Sequence, residues 1–401
     1  VLETMYDQLA ELYQEMVELR RYFHMHPELS FEEVETPAKI AAYLTELGID
    51  VKTGVGGNGV IGYIRGGKPG KTVALRADFD ALPIQDEKNV PYKSQVPGVM
   101  HACGHDGHTA TLLAVAKVLQ ANREKLAGNV VLIHQFAEEV APGGAKAMIE
   151  AGCLDGVDAI FGTHLSSSFP TGVVGYRSGS IAAASDRFSI VIQGKGGHGA
   201  APQESIDPIA VGAVLITHLQ QIVSRRIDPQ KPAVFTIGSF HAGEAFNVIP
   251  DTATIQGTVR TYHPEVQERI MGELERIVKG TCEASNASYS LQYTKGYPAV
   301  INHKQETLLL AESAKQVLGE EHVFEMEPFM SGEDFAYYLQ KVPGTFFFTG
   351  ACNEELGSSY PHHHPRFDID EKAMLAAAKV MVTATVRYLE NAAACKDGGN
   401  R

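Results

Sequence analysis

The sequence predicts an α/β fold: a domain built on a mostly parallel sheet, interrupted by a smaller inserted ferredoxin-like α+β domain. Two patterns carry that reading. Between residue 38 and about 180, helical periodicity alternates with short β-rich runs, the order that lays a parallel sheet under helices. From about 183 to 294 the order becomes β-α-β-β-α-β, the split arrangement of a ferredoxin-like domain, after which the α/β pattern resumes. The domains are placed at 1–182, 183–294 and 295–392, the first and third forming one unit, with a disordered tail at 393–401.

Each element has its local reason. Ala38 to Leu47 reads as a helix closed by Gly48. GVIGYI (59–64), TVALRA (72–77), VVLIHQF (130–136) and AIFGTHL (159–165) are strand-length apolar runs. ATLLAVAKVLQANREKL, between the second and third, suits a helix packed on a sheet. In the insertion, DRFSIVIQG is a strand and DPIAVGAVLITHLQQIVSRR a helix. AVFTIGSF and DTATIQGTVRT are successive strands, HPEVQERIMGELERIVKGTCEA a helix opening on Pro264, and YSLQYTKG the last strand. The final part holds a helix near Gln305–Leu318, the strand TFFFTGA (345–351) and a helix Glu371–Leu389. The tail ACKDGGNR has no periodicity.

Composition narrows the partners. With 401 residues, 44% of them hydrophobic, the chain can bury a full core in two domains. Lys+Arg 34 against Asp+Glu 48 gives a net charge of −14, which argues against nucleic acid or an anionic membrane as the main partner. No apolar run reaches membrane-span length, and VLETMYDQLAELYQEM is acidic and amphipathic, unlike a signal peptide. Cysteines at 103, 153, 282, 352 and 395 are odd in number and scattered, which suits reduced thiols and a cytoplasmic location.

Metal-donor side chains follow the strands. Asp78 and Asp80 follow TVALRA, Glu138 and Glu139 follow VVLIHQF, His164 lies in AIFGTHL, and His362-His363-His364 come after TFFFTGA and a loop. Ligands of open parallel sheets bind at the carboxyl ends of strands, so four segments deliver donors to one edge. Cys103 and His105 sit in MHACGHDGHTA, where Gly104 and Gly107 permit an irregular backbone that aims two side chains at one point. Asp106 and His108 are assigned supporting or solvent-facing roles. Two adjacent acids after a buried strand are costly unless a cation or a shared proton relieves them. In a metal hydrolase one carboxylate can bind metal while its neighbour serves as base. The glycine-rich GVGGNG and QGKGGHGAAP match neither a dinucleotide fingerprint nor a phosphate loop, and no G-x-S-x-G occurs.

RADFDALP (76–83), MHACGHDGHTA (100–110), AEE (137–139), GTHL (162–165), GGHGAAP (196–202), NVIPD (247–251), MSGEDF (330–335) and HHPRFDIDE (363–371) together resemble the aminoacylase/carboxypeptidase family of dinuclear metallopeptidases. The similarity is greatest to its amidohydrolase branch, the N-acyl-L-amino-acid amidohydrolases, hippurate hydrolases and auxin-conjugate hydrolases. The resemblance implies a catalytic α/β domain with two divalent ions (zinc, or manganese, cobalt or nickel) and an inserted lid domain that mediates a homodimer. It implies Cys103, His105, Glu139, His164 and His363 as ligands, the last chosen by the pattern H-x-P that ends at Pro365. Glu138 matches the general base, and Asp78 the aspartate that orients a metal-bound histidine. His198, supplied by a partner subunit, matches a stabiliser of the oxyanion, while Asn247 and Arg260 match positions that hold a substrate carboxylate.

Three positions depart from relatives: Arg76 replaces a metal-binding histidine of more distant members, Phe136 a common proline, and Ser166 opens a stretch that often carries tryptophan. The implied activity is hydrolysis of N-acetyl- or N-benzoyl-type amino acids to a carboxylic acid and a free amino acid. Carboxypeptidase action on short peptides, deacetylation of an N-acetylated diamino acid, and an inactive metal-binding homologue are the alternatives.

Overall fold

The strands Lys71–Asp78, Gly128–Gln135 and Gly344–Cys352 are buried along almost their whole length. Strands covered on both faces lie at the centre of a sheet with helices on either side. The computed structural model describes residues 1–397 and places them so. One sheet of eight strands runs in the order Asp50–Val55, Gly59–Ile64, Gly128–Gln135, Lys71–Asp78, Ala159–Pro170, Gly344–Cys352, Val174–Tyr176, Val323–Glu325. The four middle strands are mutually parallel. Antiparallel neighbours join them on both sides, through Gly59–Ile64 and Val174–Tyr176.

The helix His105–Ala121 is buried round nearly its whole circumference for most of its length. The reason is its company: it packs on the strand Lys71–Asp78 and against the helices Tyr13–Met25 and Lys372–Asp397. The sequence predicts a last helix that ends at Leu389 and a disordered tail from 393. Instead the helix continues to Asp397. The rest of that tail, 398–401, lies outside the described residues. The short strands Asp50–Val55, Val174–Tyr176 and Val323–Glu325 escaped the sequence because each is brief or has an exposed face.

The chain divides into two compact units. The first takes Val1–Ile181, Ile301–Glu327 and the chain from Asp334 onward; the second takes Ala182–Val300 and Pro328–Glu333. Pro328–Glu333 joins the second unit because Ala183 N–H bonds the carbonyls of both Phe329 and Ser331. Within that unit, the strands Ala184–Gln193, Ala233–Ala242, Thr252–Thr261 and Ser288–Thr294 form an antiparallel sheet. Numbered along the chain, their spatial order is 2-3-1-4, the ferredoxin-like arrangement. One face buries Phe188, Ile190 and Ile192, and Leu215, Ile270 and Leu274 from two helices complete that core. Asp207 caps the helix Pro208–Leu219 by accepting from Ile209 N–H and Ala210 N–H.

Candidate metal centre

Cys103 and His105 meet because the chain turns sharply between them. Gly104 adopts φ 92°, a left-handed conformation that favours glycine, and the helix begins at His105. His105 is fixed by its Nδ1, which lies 3.0 Å from the Asp80 carbonyl and 3.1 Å from Asp80 Oδ1. A carbonyl can only accept, so Nδ1 carries a proton, and in the neutral ring Nε2 offers the lone pair. The site continues at Glu139, whose N–H donates to Asp80 Oδ2. Ala137, just before the two glutamates, is held at φ 49°. Its N–H donates to the buried carboxylate of Glu33 over 2.9 Å.

His164 stands on the parallel strand Ala159–Pro170, level with Phe348, whose ring stacks on it at 5.8 Å. Its Nδ1 lies 2.8 Å from the Leu165 carbonyl, which turns an Nε2 lone pair to within 3.4 Å of Cys103 Sγ. The histidine-rich loop enters through His363 N–H, which donates to the Ala102 carbonyl. His363 itself has φ 65°, and its Nε2 lies 3.3 Å from Glu139 Oε2. His362 sets Nδ1 3.6 Å from Cys103 Sγ. The sequence did not single it out within the triple.

These donors fit a divalent cation. Two buried atoms, His105 Nε2 and Glu139 Oε1, have no hydrogen-bond partner among the described residues, and they lie 3.8 Å apart. Sulfur at about 2.3 Å and imidazole nitrogen at about 2.1 Å from one tetrahedral ion would stand roughly 3.6 Å apart, close to the spacing of Cys103 and His164. Charge leads to the same conclusion. Burial, with Glu139, Glu138 and Asp78 nearby, pushes the Cys103 thiol well above its ordinary pKa. A bound dication reverses that bias and favours the thiolate. Burial opposes the charged form of His105, yet Asp78, Asp80 and Glu139 push its pKa up to about 10, a negative field in which a dication would displace the Nε2 proton. Burial and neighbouring histidines hold His164 well below its usual value, keeping it neutral as a ligand must be.

Asp78 and His108 lie beside the donors, with Asp78 Oδ1 3.8 Å from His105 Nε2. Asp78 Oδ1 accepts from His108 Nδ1 at 2.6 Å, and Oδ2 accepts from Arg76 at 2.5 Å. The Arg76 guanidinium also reaches Gln135 and Asp334. Burial works against ionisation of Asp78, but Arg76, His105 and His108 hold its pKa well below the carboxylate range. Asp80, not Asp78, is the carboxylate on His105 Nδ1. The alternation of Asp78, Phe79 and Asp80 was the signal that could have found it. His198, Asn247 and Arg260 belong to the second unit. There His198 pairs with Val248 across two short strands, and Gly199 N–H bonds the Asn247 carbonyl. His198 is exposed, and its Nδ1 accepts from Ala200 N–H, leaving the proton on Nε2. Arg260 is partly buried on the strand Thr252–Thr261, in the field of Asp186.

The chain is similar to known proteins over nearly its whole length. At 56% identity, with 95% of this chain and 96% of the relative covered, the chain is similar to "Putative amidohydrolase YhaA" of Bacillus subtilis (strain 168). It is 42% identical to Thermostable carboxypeptidase 1 of Saccharolobus solfataricus, covering 97% of this chain and 99% of that one. Among solved structures, the Bacillus subtilis YXEP protein, described as a dinuclear metal binding peptidase from the M20 family, superposes with a TM-score of 0.84. Its identity is 37%, over 95% of this chain and 99% of that one. Residues 74–387 match Peptidase family M20/M25/M40, and the chain belongs to that family.

Proposed function

We infer that the protein is a metal-dependent amidohydrolase that cleaves N-acyl-L-amino acids of the N-acetyl or N-benzoyl type, releasing a carboxylic acid and a free amino acid. The observation that carries this is the pair of unpartnered buried donors, His105 Nε2 and Glu139 Oε1, beside Cys103 and His164. Cys103, His105, Glu139, His164 and His363 would hold two divalent ions, as the YXEP protein is described as doing. The mixed thiolate, imidazole and carboxylate set suits zinc, with manganese, cobalt or nickel as other occupants. When bound, the ions supply a water of lowered pKa and polarise the scissile carbonyl.

The chain's own groups do the rest. Glu138 takes the proton of the attacking water and delivers it to the departing amine. Asp80 fixes the ring of His105, and Asp78 fixes His108. His198, reaching in from the partner of a homodimer, offers its Nε2–H to the oxyanion. Asn247 and Arg260 hold the carboxylate of the amino-acid half; a guanidinium matches that anion with two parallel hydrogen bonds.

An N-acyl-amino-acid hydrolase and a carboxypeptidase break the same bond, since both release an amino acid bearing a free carboxylate. They differ only in what lies on the acyl side. Among the described residues no helix is long and apolar enough to cross a membrane. Cys103, Cys153, Cys282 and Cys352 are free thiols, which supports a cytoplasmic setting. The deciding experiment strips the protein of metal, reloads it with zinc, manganese, cobalt or nickel, and assays N-acetyl amino acids, N-benzoyl amino acids and dipeptides. Turnover is expected only after reloading and fastest on the N-acyl substrates. Full activity at zero metal sinks the metal reading, and a preference for dipeptides moves the protein to the carboxypeptidases.

A further inference from the structure

A histidine shows where its proton lies by the company it keeps, because a backbone N–H can only donate and a carbonyl can only accept. His105 and His164 both give Nδ1–H to a carbonyl, so each turns an Nε2 lone pair inward. His362 has the same tautomer but the opposite orientation. Ser167 N–H donates to its Nε2 over 3.3 Å, so its proton sits on Nδ1. Nδ1 is the atom 3.6 Å from Cys103 Sγ. The ring is held in that pose by Phe367 on one side, 4.7 Å between centroids, and by His164 at 5.1 Å.

Distance alone would make His362 a ligand, since Cys103, His164 and His362 bring three donor atoms within 4.8 Å of one another. The proton decides otherwise. A ligating Nδ1 would need its lone pair, which would move the proton to Nε2 and set two N–H groups head to head at Ser167. We propose that His362 is a positioning residue that donates a hydrogen bond from Nδ1–H to the Cys103 thiolate and is not itself a ligand. This rests on the reading of Cys103 as a ligand of divalent metal. An N–H donor on a thiolate draws charge off the sulfur and fixes the direction of its remaining lone pairs. His362 thereby sets the strength of the Cys103–metal bond from outside the ligand set.

The test uses cobalt(II) as probe in the full-length protein, following the near-ultraviolet thiolate-to-cobalt band and the visible bands that report coordination number. His362→Leu removes both hydrogen bonds. His362→Asn keeps an N–H near the place of Nδ1, and His362→Gln keeps an acceptor near that of Nε2. The Leu variant is expected to bind both cobalt ions, about 10- to 100-fold more weakly, with unchanged visible bands. Its thiolate band moves to longer wavelength because the sulfur lone pairs lose their stabilising donor. Asn restores the band position and Gln does not.

Loss of one cobalt, or altered visible bands, would make His362 a ligand and overturn the proposal. A band unmoved in the Leu variant, or restored by Gln and not by Asn, overturns it as well, since the ring would then act through Ser167 alone. Should the Leu variant fail to fold, the Asn and Gln pair carries the comparison. A native protein with no thiolate band removes the metal reading itself, whereas a native band indifferent to all three substitutions removes only this proposal.

Discussion

Glu138 sits one residue after a backbone that no alanine adopts freely. Ala137 at φ 49° and His363 at φ 65° lie in the left-handed region without being glycine. Such residues persist where surrounding bonds over-determine them, commonly at functional sites. Here Glu33 clamps Ala137 N–H, and the Ala102 carbonyl clamps His363 N–H. Glu138→Gln preserves this geometry and removes only the proton acceptor. It should keep full metal content by elemental analysis and lose about 10²–10⁴-fold in kcat; retained turnover would take Glu138 out of the base role. Cys103→Ala should lower metal content, and full two-metal occupancy in that variant would refute its ligand role. At this scale the sequence named most of the cluster. Cys103, His105, Glu138, Glu139, His164 and His363 all gather in the first unit. Glu33 was invisible and His362 was not separable from its two neighbours, because their importance lies in which backbone amide or sulfur they face.

The helix His105–Ala121 aims its first turn at the donors, and a buried ion network holds that turn. Arg20 bonds Asp106 at 2.8 Å and Asp368 at 2.6 Å, and it also reaches Glu371. His24 bridges Asp106 and Asp86. Burial opposes the ionised forms of Asp106 and Arg20, but Arg20 holds Asp106 charged, and Asp368 followed by Asp106 holds Arg20 charged. Arg20→Met strands buried carboxylates and should cost about 3–5 kcal/mol in chemical denaturation. A cost under 1 kcal/mol would show the network to be dispensable. The close packing of that first turn is also visible at Gly107, where an added Cβ would come within 2.6 Å of Leu165 Cδ1 and 2.8 Å of Ile369 Cδ1. The central strands and long helices were legible from period and burial. The network was not, because Arg20, Asp86, Asp106 and Asp368 come from four distant segments with nothing unusual in their local sequence.

At the scale of the whole molecule, stability should depend on Glu33. Burial, only partly offset by Asn58, raises its pKa to about 7. An acid whose folded pKa lies above its unfolded value binds more protons when folded. Its stabilising contribution is complete below the unfolded value, near 4.5, and lost as pH rises towards 7. Glu33→Gln should therefore gain stability over the native chain between pH 5 and pH 8, by at most about 3 kcal/mol. An equal difference at both pH values would contradict this. The dimer reading has its own test: mixing His198→Ala with Glu138→Gln should restore activity if each site borrows a histidine, and no recovery would favour a site built within one chain. The alternation of elements made the two-domain plan legible. The unit boundaries were less so, since Pro328–Glu333 joins the second unit through backbone bonds that leave no compositional trace. One consequence reaches back to the strand that carries His164. Its neighbour Lys71–Asp78 stops pairing with it at Gly162, and beyond that point His108 and His362 take over the amides of Leu165 and Ser167. Those two amides are thus tied to rings in the metal pocket, and their solvent-exchange rates should slow when cation loads, giving a substrate-free gauge of filling.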